Sequence, residues 1–176
     1  VSYCAVCDGA FYKDREVAVI GGGNTALQEA VMLSELCKKV TLVQNLAFFT
    51  GEKKLLDLLE KKENVEFITN SVVCAIDGDD SLSSIRIINT ETKEEKTLFV
   101  DGIFVAIGQE PENEPFKAVS SLDDYGYIIS SEECESGTEG IFVAGDCRTK
   151  RVRQIATAVA DGAVAAVNAC KFVDSL

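Results

Sequence analysis

Histidine is absent from this chain, and with it the commonest general base and metal ligand of proteins. Chemistry must then rest on thiols, carboxylates or a bound cofactor, and no metal site is expected. Proline occurs only twice, which argues against long disordered tracts. No run approaches the roughly 18 apolar residues needed to cross a bilayer. No basic segment precedes an apolar stretch at the start, so no signal peptide is read. Lysine and arginine do not cluster outside Arg148–Arg153, so a nucleic-acid groove is not expected. The net charge of −12 mainly serves solubility.

What is present is a chain of 176 residues, 47% of them hydrophobic. That is enough for one core with a smaller piece attached. Cysteines number seven, an odd count. Only Cys4 and Cys7 lie close together; Cys37, Cys74, Cys134, Cys147 and Cys170 are scattered. The pattern suits a reducing cytoplasm better than a disulfide scaffold. The scattered thiols are expected to be inert, with Cys37 and Cys170 as packing residues and Cys134 and Cys147 flanking one strand. The chain opens on Val1, so it is expected to be a piece of a longer protein.

Buried strands are expected at Val17–Ile20, Val40–Val43 and Val65–Ile68, where short β-branched apolar runs occur. Between them, Asn24–Cys37 shows helical apolar spacing with Asn24 as its N-cap, and Glu52–Lys62 is amphipathic. This alternation predicts a parallel sheet. Val72–Asp77, Ile85–Asn89 and Lys96–Val100 then predict an antiparallel insertion. Strands at Gly102–Ala106 and Ile141–Ala144 and a helix over Gln154–Phe172 complete the chain. Residues 109–126 hold both prolines and many charges, so a boundary belongs there, dividing 1–109 from 110–176.

Three motifs carry chemistry. The first is Cys4-Ala5-Val6-Cys7. A CxxC lets two sulfurs reach bonding distance and cycle between dithiol and disulfide. Zinc would want four ligands, and neither a second CxxC nor a histidine is available. Redox cycling or two inert thiols remain. Asp8 follows directly and can give or take the proton that thiolate formation requires. The second motif runs from Val17 through Gly21-Gly22-Gly23-Asn24-Thr25-Ala26, a GxGxxA between strand and helix. Gly21 permits the turn, Gly23 lets backbone approach a pyrophosphate, and Ala26 allows close packing. Its setting in a βαβ unit favours a dinucleotide over a bare turn. The ribose-reading end of the second strand is Gln44-Asn45-Leu46-Ala47-Phe48-Phe49-Thr50, with neither the acid of NAD sites nor the arginine of NADP sites. The third motif is Gly145-Asp146, which could bond a cofactor's sugar hydroxyl or be only a turn, followed by Arg153-Gln154-Ile155 at a helix start.

Taken together, CAVCDGAFY, VAVIGGGNTA, the segment Phe104–Pro111, and GIFVAGDC followed by RQIATAVADG resemble the low-molecular-weight thioredoxin reductases of bacteria and archaea. The resemblance implies an α/β flavoprotein: a Rossmann-like three-layer nucleotide domain with an antiparallel β insertion, set into a discontinuous FAD-binding domain. Residues 1–109 would be the nucleotide domain carrying the CxxC, and 110–176 the C-terminal part of the FAD domain. The family's first FAD segment, with its own glycine fingerprint, has no counterpart here.

The implied activity is thioredoxin-disulfide reduction, with electrons passing through FAD to Cys4 and Cys7. Cys4 would be the interchange thiol, Cys7 the flavin-proximal thiol and Asp8 the proton donor. Gly21, Gly23, Asn24, Thr25 and Ala26 match the dinucleotide loop. Gly145 and Asp146 match the flavin's ribitol contact, and Arg153, Gln154 and Ile155 the segment beside its ring. A thioredoxin or thioredoxin-like partner and a homodimer are implied. The arginines that read NADPH in the family are missing from Gln44–Thr50. The donor would then be NADH, or ferredoxin as in some relatives, or NADPH held in a variant pocket by Lys53 or Lys54. A flavin oxidase or ferredoxin–NADP reductase on the same fold, and a non-catalytic redox-sensing nucleotide module, are the competing classes.

Overall fold

The computed structural model describes residues 1–176, which fall into two compact units, Val1–Gly108 and Gln109–Leu176. In the first unit a short helix α1 (Ala5–Asp8) and a 3-10 turn (Gly9–Tyr12) lead into β1 (Glu16–Ile20), α2 (Asn24–Ser34), β2 (Lys39–Val43), α3 (Lys53–Leu59) and β3 (Val65–Ile68). Next come β4 (Ser71–Gly78), β5 (Leu82–Asn89), β6 (Glu95–Phe99) and β7 (Gly102–Val105). The order β3-β2-β1-β7 forms a four-stranded sheet, with every neighbouring pair parallel. A second, three-stranded sheet in the order β4-β5-β6 is antiparallel.

Strand period decides which layer each residue joins. Successive side chains of a strand point to opposite faces. Val17 and Val19 of β1, Val40 and Leu42 of β2 and Phe104 of β7 share a core with Ala26, Leu27, Ala30 and Leu33 of α2. The alternate residues Ala18, Val43 and Ile103 share a second core with Ile85, Ile87 and Leu98 of the antiparallel sheet. The parallel sheet is therefore covered by helices on one face and by the insertion on the other. That is the three-layer arrangement expected, and it explains why these strands read as unbroken apolar runs.

Helix boundaries differ from the sequence expectation: the expected Glu52–Lys62 helix spans Lys53–Leu59, the expected Gln154–Phe172 helix spans Ile155–Asp174, and α2 differs at both ends. The N-cap of α2 is Gly23 rather than Asn24. The Asn24 side chain instead bridges to Glu52, its Oδ1 accepting the Glu52 N–H at 2.7 Å and its Nδ2 donating to Glu52 Oε1 at 3.3 Å. The helix also ends three residues early, at Ser34, where the Ser34 hydroxyl turns back to the Val31 carbonyl, a bond that competes with helix continuation.

The second unit is mostly irregular until α4 (Ile155–Asp174). The strand expected at Ile141–Ala144 does not form. Phe142 makes one isolated bridge to Glu135, and the Val143 N–H bonds to the Cys134 carbonyl at 2.7 Å. An apolar β-branched run becomes a strand only where a neighbour pairs along its length. Buried Asn113 ties the loops together, its Nδ2 donating to the Gly126 and Cys147 carbonyls at 2.9 and 2.8 Å. Contrary to the sequence reading, α4 is long and apolar enough to cross a membrane by length and composition alone. The apolar count missed it because Asp161 and Lys171 interrupt the run.

Candidate active site

Cys4 and Cys7 are joined as a disulfide, with Cα atoms 5.3 Å apart. Cys4 is the N-cap of α1, and its sulfur accepts the Cys7 N–H at 3.1 Å. Cys4 is half-buried and Cys7 is exposed. The segment entering this turn is stitched to the sheet edge: the Ser2 N–H donates to the Ile103 carbonyl, and the Val105 N–H to the Ser2 carbonyl, each at 2.8 Å. This seats the Ser2 hydroxyl under the turn. It donates to Asp8 Oδ2 at 2.7 Å and accepts the Cys4 N–H at 3.1 Å. A carboxylate is thus held beside the pair by a residue two positions before the first cysteine. Tyr3, Val6 and Phe11 stand exposed around the disulfide.

The glycine loop opens α2 on the other side of β1. Gly21 has φ +131°, and a Cβ there would lie 2.3 Å from the Ala106 carbonyl oxygen. Only glycine fits that turn. Gly23 differs: its φ is −85°, and a Cβ there would meet nothing nearer than the Thr50 hydroxyl at 3.9 Å. Nothing in the chain itself demands glycine at this position, and a ligand passing close to the backbone would. The start of α2 has no side-chain cap, leaving its first amides for an anion. Loop and helix border a cavity of about 760 Å³ with Thr25, Asn45 and Thr50 among its walls. Gly23 and the first amides of α2 could hold a dinucleotide's phosphates.

No lysine, arginine or carboxylate lines that cavity. Gln44 is turned inward, 5% exposed. Its Nε2 donates to the Phe48 carbonyl and its Oε1 accepts the Asn45 N–H. Lys53 and Lys54 do not line the cavity; Lys53 pairs with Asp57 along α3.

In the second unit, Arg153 brings together two stretches that are separate in sequence. Its Nε donates to the Asp146 carbonyl at 3.3 Å, and its guanidinium lies 3.8 Å from the centre of the Tyr127 ring. Gln154 is the N-cap of α4 in a reciprocal capping box with Thr157. Ile155, the first helical residue, is 85% exposed. These residues leave an apolar side chain open beside a capped helix start, with the Asp146 carbonyl held nearby by Arg153, and could hold a flat aromatic cofactor with a polyol tail.

The sequence profile of the family described as pyridine nucleotide-disulphide oxidoreductase matches residues 1–162. The chain belongs to the pyridine nucleotide-disulphide oxidoreductase family. It is similar to a thioredoxin reductase of Listeria innocua, at 42% identity over 177 residues, covering 100% of this chain and 56% of that protein. It is also similar to a 34.2 kDa protein in the rubredoxin operon of Clostridium pasteurianum, at 39% identity over 98% of this chain and 56% of that one. Among solved structures it superposes on thioredoxin reductase from Streptococcus pyogenes with a TM-score of 0.92 and 38% identity, covering 99% of this chain and 57% of that one. The chain thus spans little more than half the length of these relatives.

Three features of this pyridine nucleotide-disulphide oxidoreductase chain escaped the sequence reading. Ser2 and Glu29 are set against the CxxC turn only by tertiary packing. Asp161, one turn and a half into α4, is buried and gathers three partners. Arg148 Nε and Nη2 each donate to it at 2.8 Å, Lys150 Nζ at 2.7 Å and the Gly145 N–H at 3.0 Å. Arg148 above all holds this carboxyl well below the usual carboxylate range. The network fixes the turn that carries Gly145 and Asp146. Its only sequence signal was an acid amid alanines and valines. The remaining thiols form no second dithiol. Cys37 is buried, and burial with Asp14 pushes its thiol up to about 11. Cys170, expected to pack, is exposed, because α4 turns that face outward within its unit.

Proposed function

We propose that the protein containing this chain is a flavin-dependent disulfide oxidoreductase that reduces thioredoxin. The observation that carries this reading is the Cys4–Cys7 disulfide at an accessible turn, with Asp8 held beside it by Ser2 at 2.7 Å. The exposed rim of Tyr3, Val6 and Phe11 suits docking of another protein's redox site, since accessible aromatic and apolar groups anchor interfaces. The thioredoxin reductases among the relatives support the same assignment.

The chemistry balances at two electrons and two protons. When bound, FAD would supply the electron pair that opens the Cys4–Cys7 bond. Cys4, as thiolate, then attacks one sulfur of the partner disulfide, and the partner's other sulfur leaves as a thiolate and takes a proton. Cys7 attacks Cys4 in the mixed disulfide, restoring the Cys4–Cys7 bond and releasing the partner's second thiol. Asp8 moves the protons between these sulfurs and solvent. Asp146 would hold the flavin's polyol, with Arg153, Gln154 and Ile155 beside its ring. Gly23, Asn24, Thr25 and the start of α2 would hold the pyrophosphate of a nicotinamide nucleotide.

The uncharged cavity favours NADH over NADPH, because a 2′-phosphate is held by charge-assisted bonds from arginine. The exposed apolar face of α4, including Val159, Val167 and Val173, is on this reading covered by the length that the relatives have in addition. The whole protein would work in the cytoplasm as a homodimer.

Turnover of thioredoxin by the flavin-loaded whole protein tests the assignment. With NADH, the wild type should reduce thioredoxin, and Cys4→Ser and Cys7→Ser should each lose essentially all activity. NADPH should bind at least about tenfold more weakly, roughly 1.4 kcal/mol. Flavin bleaching by reduced ferredoxin but by neither nucleotide would remove the nucleotide role of the glycine loop.

A further inference from the structure

Beneath the Cys4–Cys7 turn lies a carboxyl that the chemistry above leaves unused. Glu29 sits on α2, which packs against α1. Its Oε1 accepts the Ala5 N–H at 3.2 Å, so it holds the backbone immediately after Cys4. Its other oxygen, Oε2, is buried with no hydrogen-bond partner. A buried carboxylate oxygen without a partner is costly, and folded proteins keep few such groups without a use. Burial raises the Glu29 carboxyl above its ordinary range, and the Ala5 N–H offsets part of the rise.

The titratable groups of α1 and the turn after it are Cys4, Cys7, Asp8 and Tyr12, and Asp8 is committed to Ser2. On the strands and helix that pack with α2, Glu16 pairs with Lys38, Lys39 with Glu66 and Lys53 with Asp57, and Lys54 is exposed. On α2 itself Glu29 is the only titratable side chain.

We propose that Glu29 is the positioning residue of the Cys4–Cys7 pair, holding the start of its helix and setting the ionisation of the dithiol from the buried side. A disulfide is uncharged and tolerates an ionised Glu29. A thiolate forming at Cys4, the residue joined to the Ala5 amide that Glu29 holds, repels that charge, and like charges each disfavour ionisation of the other. Glu29 therefore keeps the reduced pair protonated to higher pH than a neutral residue would, while Asp8 exchanges protons from the accessible side. The inference rests on the redox reading of Cys4 and Cys7, and not on thioredoxin being the acceptor.

The test uses the flavin-loaded whole protein, reduced with a phosphine. Alkylation of Cys4 and Cys7 by iodoacetamide is followed against pH, residue by residue, by mass spectrometry. Glu29→Gln keeps an oxygen for the Ala5 N–H and removes the charge. The alkylation midpoint of the more reactive thiol should fall by about one pH unit, so that its thiolate fraction below the midpoint rises roughly tenfold. Glu29→Asp keeps the charge but withdraws it from Ala5, and should shift the midpoint less, in the same direction. It supplies the measurement if Glu29→Gln does not fold. An unchanged midpoint in whichever variant folds overturns the proposal, since a purely structural role would leave it in place. Alkylation needs neither donor nor acceptor, so a protein that ignores thioredoxin yet shows the shift retires the thioredoxin assignment alone.

Discussion

Gly21 and Gly23 stand two positions apart and answer to different demands. At Gly21 the φ of +131° and the Ala106 oxygen, which would lie 2.3 Å from an added Cβ, leave no room for alanine. Gly21→Ala should cost roughly 1–3 kcal/mol of stability, the range for a strained backbone residue, read from urea unfolding. At Gly23 the backbone is ordinary and the space open, so Gly23→Ala should leave stability within about 0.5 kcal/mol. It should nevertheless weaken nucleotide binding by about tenfold or more, read by titration calorimetry. Equal effects of both substitutions on stability would mean that Gly23 serves the fold rather than a ligand.

Asp161 makes the other prediction at this scale. Replacing it with asparagine leaves Arg148 and Lys150, whose side chains are 11% and 9% exposed, without their counter-ion. Breaking such a pair costs roughly 3–5 kcal/mol. Because the folded-state carboxyl is held below its ordinary range, its contribution is fully present above an unfolded pKa of about 3.9. It is lost as pH falls below that value, where the unfolded chain binds the proton first. Acid unfolding of the wild type should therefore steepen below about pH 4, and Asp161→Asn should remove that dependence.

The element that joins the two sites of the first unit is α2. It begins at the glycine loop, and one turn on it meets the CxxC turn through Glu29 and Ala5. Its inner face is wholly buried at Ala26, Leu27, Ala30 and Leu33. Leu33→Ala should cost roughly 2–5 kcal/mol, and the loss should lower nucleotide binding and disulfide turnover together. This helix and the parallel strands were legible in the sequence, because helical spacing and unbroken β-branched runs each have one physical reading when they alternate. Ile141–Ala144 had the same composition as those strands but lacks a paired neighbour, which composition does not encode. The Asn24 cap was misread for a similar reason: its amide found Glu52, 28 residues away, a contact set by tertiary packing. The CxxC, the glycine loop and the Gly145-Asp146 turn could be seen because their spacing is local. Ser2, Glu29 and the Arg148–Asp161–Lys150 network could not, because each depends on residues distant in the chain.

At the scale of the molecule, the chain holds the thiol pair, a candidate dinucleotide cradle and a candidate flavin contact, and spans 56% of the length of its Listeria innocua relative. On the proposed reading, turnover belongs to the whole protein, and the step that defines its class is exchange between Cys4 and a sulfur of the partner's disulfide. The most direct measurement traps that step. Flavin-loaded whole protein bearing Cys7→Ser, reduced at Cys4, is mixed with oxidised thioredoxin, and the products are separated without reductant and mapped by mass spectrometry. A covalent one-to-one adduct linked through Cys4 and released by dithiothreitol is the predicted result. No adduct, or an adduct through Cys74, Cys147 or Cys170 instead, would contradict the assignment of thiol–disulfide exchange to Cys4.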